Sequence, residues 1–342
     1  MFLVNRSETI LAIENDIERG AIQWPTLTRK VGHAKVWTPS SILSIDDQAE
    51  VERQMANLSS EIQMVLAGDT LTEEALPTYT RFLVATEGIP KEQESHLQQW
   101  IREWSAEEER HGTLLDRLML MSKAFDMDSY ERSKSMLIAD GMDIETENDP
   151  YKVFYYTSFQ EIATQVSHMN VSKRAQEAGA PLIAKACKVI AGDEAMHAKM
   201  YNSFVQTALN TDPNGMIEAI AAMMKSRISM PAHLMREVRS ETQEILNPGP
   251  MYDAFSDCAQ HANVYTSKDY ARISGQLLKG WKIAHQDESG KWQVSDRDDF
   301  SEKGKDDQAL CIRIQNIIDH KAMSGKVPEL PDYNFEWLLR RE

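Results

Sequence analysis

Two Glu-x-x-His pairs, Glu108 with His111 and Glu194 with His197, occupy positions where apolar residues are expected. In one long helical pattern Leu97, Ile101, Trp104, Glu108, His111, Leu115 and Leu118 recur at alternating fours and threes. In a second, from Ala180 to Leu209, the stripe of Ile183, Cys187, Ile190, Tyr201 and Phe204 takes in Glu194 and His197. Such spacing marks the core-facing side of a helix, and a carboxylate or imidazole aimed into a core costs several kcal/mol unless something compensates it. Two further stripes carry single inward acids: Glu73 with Leu76, Thr80 and Leu83, and Glu161 with Tyr151, Phe154, Ser158, Gln165 and His168. At i and i+3 a Glu and a His share one helix face. Two such pairs plus one acid from each of two other helices form a donor set for two metal ions at a bundle axis. Four carboxylates and two imidazoles suit iron or manganese better than thiolate-selecting metals. Without metal the same residues read as a satisfied buried polar network. The His-Glu-x-x-His pattern of zinc proteases is absent.

The elements that must position these residues are helices. Residues 1–45 read as a short helix followed by an extended arm broken by Trp24-Pro25 and Trp37-Thr38-Pro39. Val51, Met55, Leu58, Ile62 and Val65 form a stripe expected to end before Gly68, and Thr72 reads as the N-cap of the next helix, with Glu73 and Glu74 in its first turn. Pro77 sits early enough in that helix to give only a mild kink. Further helices are expected over 91–122, Ser129–Ala139, from Tyr151 to about Ala178, and Ala180–Leu209. Others follow at Gly215–Arg227, Pro231–Ile245, Met251–Ala262, Lys268 to Lys282 and Gln308–Lys321. Gln286 to Asp307 reads as an exposed loop or hairpin, and Phe335 to Leu339 as a docked tail. Glu107 and Glu109 are each rotated by roughly 100° from the Glu108 direction and are expected in solvent. Trp100, Trp104, His168 and Cys187 read as core. Acid-bearing helix followed by Glu-x-x-His helix occurs twice, and strand signals are almost absent. The expected fold is all-α: a four-helix bundle core over 46–209, an N-terminal arm over 1–45 and a C-terminal helical extension over 210–342, forming one domain over 1–342.

Bulk properties narrow the function. A formal net charge of −16 argues against a nucleic-acid binder, which would normally carry a basic face. No apolar run approaches the ~20 residues that span a bilayer. The acidic N-terminus, with Glu8, Glu14, Asp16 and Glu18, does not read as a signal or transit peptide, and three widely spaced cysteines, Cys187, Cys258 and Cys311, suggest a reducing compartment. The expected location is the cytoplasm, or a plastid stroma if a transit peptide has been removed.

Specific segments carry a resemblance. Thr72-Glu73-Glu74-Ala75-Leu76-Pro77-Thr78-Tyr79, Ala106-Glu107-Glu108-Glu109-Arg110-His111-Gly112, Tyr156-Thr157-Ser158-Phe159-Gln160-Glu161 and Asp193-Glu194-x-x-His197 resemble the acyl-ACP desaturase family. So do Ile228 to Met235 and Val264 to Tyr270, and the likeness runs from about Trp37 to the C-terminal tail. The resemblance implies a ferritin-like di-iron fold with two Fe ions held by Glu73, Glu108, His111, Glu161, Glu194 and His197. It implies an enzyme that uses O2, and two electrons from a ferredoxin, to insert a cis double bond into an acyl chain on acyl carrier protein, and a homodimer. Thr164 matches the family's threonine near the oxygen-binding side, where it would handle a proton; bonding back to its own helix is the alternative. Asp193, His111 and Trp37 match a proposed electron-entry line. Rival readings are a hydroxylase or oxidase on the same scaffold and a ferritin-type or manganese-loaded metal-binding protein.

Two departures from the family pattern stand out. The family commonly has Lys-Arg before the second histidine, where this chain has Ala195-Met196, so a charge beside the cluster is missing. Val153 stands where relatives commonly have Gly along the acyl channel, so a shorter or bent cavity is expected. Because both the chain and acyl carrier protein are acidic, docking needs a local basic patch. Candidates are Lys225, Arg227, Arg236 and Arg239, with Arg29, Lys30 and Lys35.

Overall fold

The computed structural model describes residues 2–22, 36–226, 228–239, 242–327 and 329–330. Its order is α1 (Phe2–Glu18), α2 (Gln48–Met55), α3 (Ser60–Glu74), α4 (Leu76–Ala85), α5 (His96–Ser122) and α6 (Met127–Asp140). Then come α7 (Pro150–Glu177), α8 (Pro181–Thr211), α9 (Pro213–Ser226), α10 (Pro250–His261), α11 (Ser267–Gly280) and α12 (Glu302–Ser324). A two-stranded antiparallel hairpin, β1 (Ala284–Gln286) and β2 (Trp292–Val294), precedes α12, with Ala284 opposite Val294. No helix of the described residues is long and apolar enough to cross a membrane.

The helix ends follow local chemistry. Side chains of Ser59, Ser95 and Ser301 cap α3, α5 and α12, and Pro150 and Pro181 open α7 and α8 at positions where no backbone donor is lost. Helix α7 runs along α8, and α3 along α5; these four long helices enclose the carboxylates and histidines. α9 and α11 pack against α7, and α12 packs on α9 and α11, building the C-terminal layer.

Several expectations differ from the structure, beginning with the stripe Val51–Val65, which is divided between α2 and α3. Gly68 does not end a helix: it lies inside α3 because the ring of Phe255 occupies the space where its side chain would be, with Cδ2 2.2 Å from an added Cβ. Thr72 is no N-cap but a residue of the last turn of α3, its hydroxyl returned to the Gly68 carbonyl at 2.9 Å. The break falls at Ala75 instead, and Pro77 sits in the first turn of α4. The expected helix from Pro231 to Ile245 is absent among the described residues; Ala232 has φ 64°, and Val238 and Ile245 form an isolated antiparallel bridge. The expected loop or hairpin over Gln286–Asp307 is only partly matched: the hairpin begins earlier, at Ala284, and Glu302–Asp307 already belongs to α12, while Trp292 is buried and donates to Asp319 at 2.6 Å. The tail Phe335–Leu339, together with Arg29, Lys30, Lys35 and Arg227, lies outside the described residues.

Candidate metal centre

Four helices deliver the six candidate ligands: α3 brings Glu73, α5 brings Glu108 and His111, α7 brings Glu161, and α8 brings Glu194 and His197. All six are buried, none more than 6% exposed. Their donor atoms form two groups, Glu73–Glu108–His111–Glu194 and Glu108–Glu161–Glu194–His197, each within 4.8 Å of one another. Glu108 and Glu194 belong to both. The geometry therefore offers two adjacent cation positions bridged by two carboxylates, with one further acid and one imidazole on each.

The histidines are oriented by acids from the opposite helix. His111 Nε2 lies 3.3 Å from Asp193 Oδ2, and His197 Nε2 lies 2.9 Å from Glu107 Oε2. That fixes which nitrogen faces inward. His111 Nδ1 stands 3.1 Å from Glu194 Oε1 and 3.3 Å from Glu108 Oε2, and His197 Nδ1 stands 3.0 Å from Glu108 Oε1. Both Nδ1 atoms and Glu161 Oε2 are buried without a well-formed hydrogen bond. Lone pairs facing lone pairs at such distances need positive charge between them, so the residues fit metal cations. Burial is the largest influence on each group. It pushes Glu161 well above the ordinary carboxylate range, with Glu194 adding repulsion, and it raises Glu108 likewise. On His111 and His197 burial acts downward, but the surrounding carboxylates outweigh it and hold both well above the usual imidazole value. The site thus attracts cations, supplied as protons or as metal.

Around this set the structure places the other expected residues. Trp37 donates from Nε1 to Asp193 Oδ2 at 3.0 Å and stacks on His111 with centroids 6.1 Å apart and planes at 5°. Arg110 reaches the same Asp193 oxygen at 3.2 Å and lies 3.8 Å from Glu107, so a guanidinium stands beside both outer acids although position 196 carries no charge. Thr164 Oγ1 lies 3.1 Å from the Glu161 carbonyl and 2.8 Å from Glu194 Oε2, so its one proton has a carboxylate acceptor as well as its own helix.

Sequence reasoning placed Glu107 in solvent; it is fully buried, because α5 packs on more than one side. The signal was available: Glu107-Glu108-x-x-His111 and Asp193-Glu194-x-x-His197 put an acid immediately before each ligand pair. His168 is more than core packing, since its Nε2 lies 2.8 Å from Glu73 Oε1. Its other nitrogen faces Asp69, 3.9 Å away, whose carboxyl burial pushes up to about 6. Trp104 also touches the set, donating to Glu161 Oε1 at 3.3 Å.

A cavity of about 830 Å³ reaches the candidate ligand Glu73. Its lining includes the buried Glu73, Thr164 and His168, the apolar or aromatic Tyr252, Phe255 and Ile314, and the exposed charged residues Lys225, Lys321 and Lys326. Of the other expected basic residues, Arg236 is paired with Asp140 at 2.6 Å and Arg239 with Glu237 and Glu244, so their charge is internally neutralised.

A helical bundle whose buried carboxylates and histidines could hold metal has the ferritin-like architecture. The X-ray structure of DesA2 from Mycobacterium tuberculosis H37Rv shares this fold, with a TM-score of 0.51 and 16% identity over 80% of this chain and 94% of that one. The chain belongs to the fatty acid desaturase family, whose model matches residues 26–339. It is 38% identical over 323 residues to the seed-specific, chloroplastic stearoyl-[acyl-carrier-protein] 9-desaturase of Brassica napus, covering 90% of this chain and 75% of that protein. It is 36% identical over 320 residues to the chloroplastic stearoyl-[acyl-carrier-protein] 9-desaturase of Ricinus communis, covering 90% and 76%.

Proposed function

We propose that this protein inserts a cis double bond into a fatty acyl chain carried on acyl carrier protein, using O2 and two electrons from a ferredoxin. The observation that carries the reading is the pair of donor groups sharing Glu108 and Glu194, one of which opens through Glu73 onto a large, mainly apolar cavity. Glu73 and His111 would hold one iron, Glu161 and His197 the other, with Glu108 and Glu194 between them. When bound, the two irons supply the oxidising power that removes hydrogen from an unactivated carbon.

The chain's own residues do the rest. The apolar walls exclude water and align the acyl chain. Thr164 holds a proton at Glu194 Oε2. Asp193 and Glu107 fix the histidines, and Trp37 extends the Asp193–His111 line outward for electron entry. Lys225, Lys321 and Lys326 give an acidic carrier a local basic rim on a protein of net charge −16. Placement in the cytoplasm or a plastid stroma, and a homodimer, belong to the same proposal.

The test is turnover of the iron-loaded protein with ferredoxin, its reductase, NADPH and a series of acyl carrier protein thioesters, read by mass spectrometry. Loss of two mass units from an acyl chain supports the reading. A gain of sixteen would make the protein a hydroxylase, and binding of iron well beyond two per chain would make it a store.

A further inference from the structure

The two outer carboxylates of the centre are each held from behind, and by different chemistry. Glu73 Oε1 lies 2.8 Å from His168 Nε2, while its Oε2 lies 3.6 Å from His111 Nδ1. Glu161 Oε1 accepts from Trp104 Nε1 at 3.3 Å, while its Oε2 lies 3.5 Å from His197 Nδ1. In each case one oxygen is tied outward and the other faces the metal-binding set. The anchors are not equivalent. An indole has one N–H and no acceptor, so the contact on Glu161 ends at Trp104. An imidazole has a second nitrogen, and that of His168 faces Asp69 Oδ2 at 3.9 Å.

Helix geometry places this line. Asp69 and Glu73 stand at i and i+4 on α3 and share a face. His168 follows Glu161 by two turns on the same face of α7. The Ser167 hydroxyl donates to Asp69 Oδ1 at 3.3 Å. Ser167, Asp69, His168 and Glu73 all line the large cavity, whereas Glu161 and Trp104 do not. Among the described residues, α7 meets that cavity through Ala163, Thr164, Ser167 and His168; Val153, where the sequence suggested a shortened channel, is fully buried and is not part of its wall. His168 and Asp69 are only 2% and 6% exposed. Buried polar groups of this kind persist where each has a partner, and here the line of partners ends on Glu73.

Resting on the metal centre of the desaturase reading above, we propose that His168, with Asp69 behind it, is a positioning residue for Glu73 and makes the two metal positions unequal. His168 holds Oε1 so that Oε2 stays turned toward His111, and Asp69 sets the orientation of the imidazole. The position built on Glu73 and His111 therefore depends on a hydrogen bond in the cavity wall. The position built on Glu161 and His197 depends on Trp104 and not on His168.

The test titrates Co2+ into the metal-free protein against a competing chelator. Asparagine keeps an amide near the place of Nδ1 and glutamine near that of Nε2, so of these changes only His168→Gln can still donate to Glu73. His168→Leu and the milder His168→Asn should weaken one of two bound Co2+ ions by about 10–100-fold, the usual effect of losing a group that orients a ligand. His168→Gln should recover most of that loss. Asp69→Asn should fall between, and no effect there would take Asp69 out of the assignment. Each change is then repeated beside Glu161→Gln and beside Glu73→Gln. The loss should persist beside Glu161→Gln and vanish beside Glu73→Gln, where the interaction is already gone. Trp104→Phe should show the reverse pattern. A loss of the same size beside Glu73→Gln, or an equal loss at both Co2+ ions, would mean that His168 acts through packing, and would overturn the proposal with the metal centre intact. A wild-type protein that binds no Co2+ would remove the centre itself, and the desaturase reading with it.

Discussion

At the residue scale the centre is organised by charge that sits one shell outside the ligands. Partners of this kind typically contribute 10–100-fold in metal affinity. Glu107→Gln should therefore weaken metal binding by about that factor, as should Asp193→Asn, with far-UV circular dichroism unchanged; equal affinity of wild type and Glu107→Gln in a competitive titration would sink the assignment for His197. Asp69 allows a pH prediction on the metal-free protein. Its folded value is raised from 3.8 to about 6 chiefly by burial, so the folded state binds this proton more tightly than the unfolded chain. Asp69 thus lowers stability progressively as pH rises from about 4 to about 6, by at most ~3 kcal/mol. Asp69→Asn should be more stable than wild type at pH 7 and lose that advantage at pH 4; a constant difference across the range would show that the Asp69 proton is not involved. The six inward residues were legible because periodicity alone exposes a polar group on an apolar stripe. Glu107 was not, because one-face reasoning assumes a helix buried on one side.

At the element scale, the ends of the helices depend on where distant chain arrives. Gly68 reads as a stop by local propensity, since glycine is poor in helix interiors. It is kept in α3 by Phe255 of α10, a neighbour far away in sequence, with ring atoms 2.2–2.7 Å from an added Cβ. Gly68→Ala should therefore lower stability by about 1–3 kcal/mol through overpacking, despite alanine's better helix propensity. The same change beside Phe255→Leu should recover part of the loss. A more stable Gly68→Ala protein in urea titration would remove the packing argument. The two longest helices, α7 and α8, were readable to within two residues at each end because their apolar faces extend over many turns. Pro231–Ile245 misled, since its mixed apolar content resembles a helix. Its partners instead come from outside the segment: Arg236 is drawn to Asp140, and the Val238 backbone donates to Ser133 at 3.0 Å. No window of local sequence contains those partners.

At the scale of the whole molecule, the bundle is braced by α1, which precedes the residues matched by the family. Glu14 accepts from the backbone N–H groups of His96 and Leu97 at 2.8 and 2.9 Å, capping the helix that carries Glu108 and His111. Asp16 accepts from Thr207 of α8 at 2.9 Å. Arg6 lies between Asp149 at 3.1 Å, the N-cap of α7, and Asp212 at 3.5 Å, just past the end of α8, and its guanidinium sits 4.0 Å over the ring of Tyr151. One helix therefore ties down three of the four that supply candidate ligands. All three charges are nearly buried, with side chains 6% to 9% exposed, so removing the cation alone strands two carboxylates. Breaking a buried pair in this way costs about 3–5 kcal/mol, whereas replacing every charged member is far milder. Arg6→Met should accordingly destabilise the fold by about that amount, and adding Asp149→Asn and Asp212→Asn should restore most of it. If the triple variant is no more stable than Arg6→Met in urea titration, the loss comes from packing rather than stranded charge, and α1 braces the ligand helices through Ile10, Ile13 and Ile17 instead.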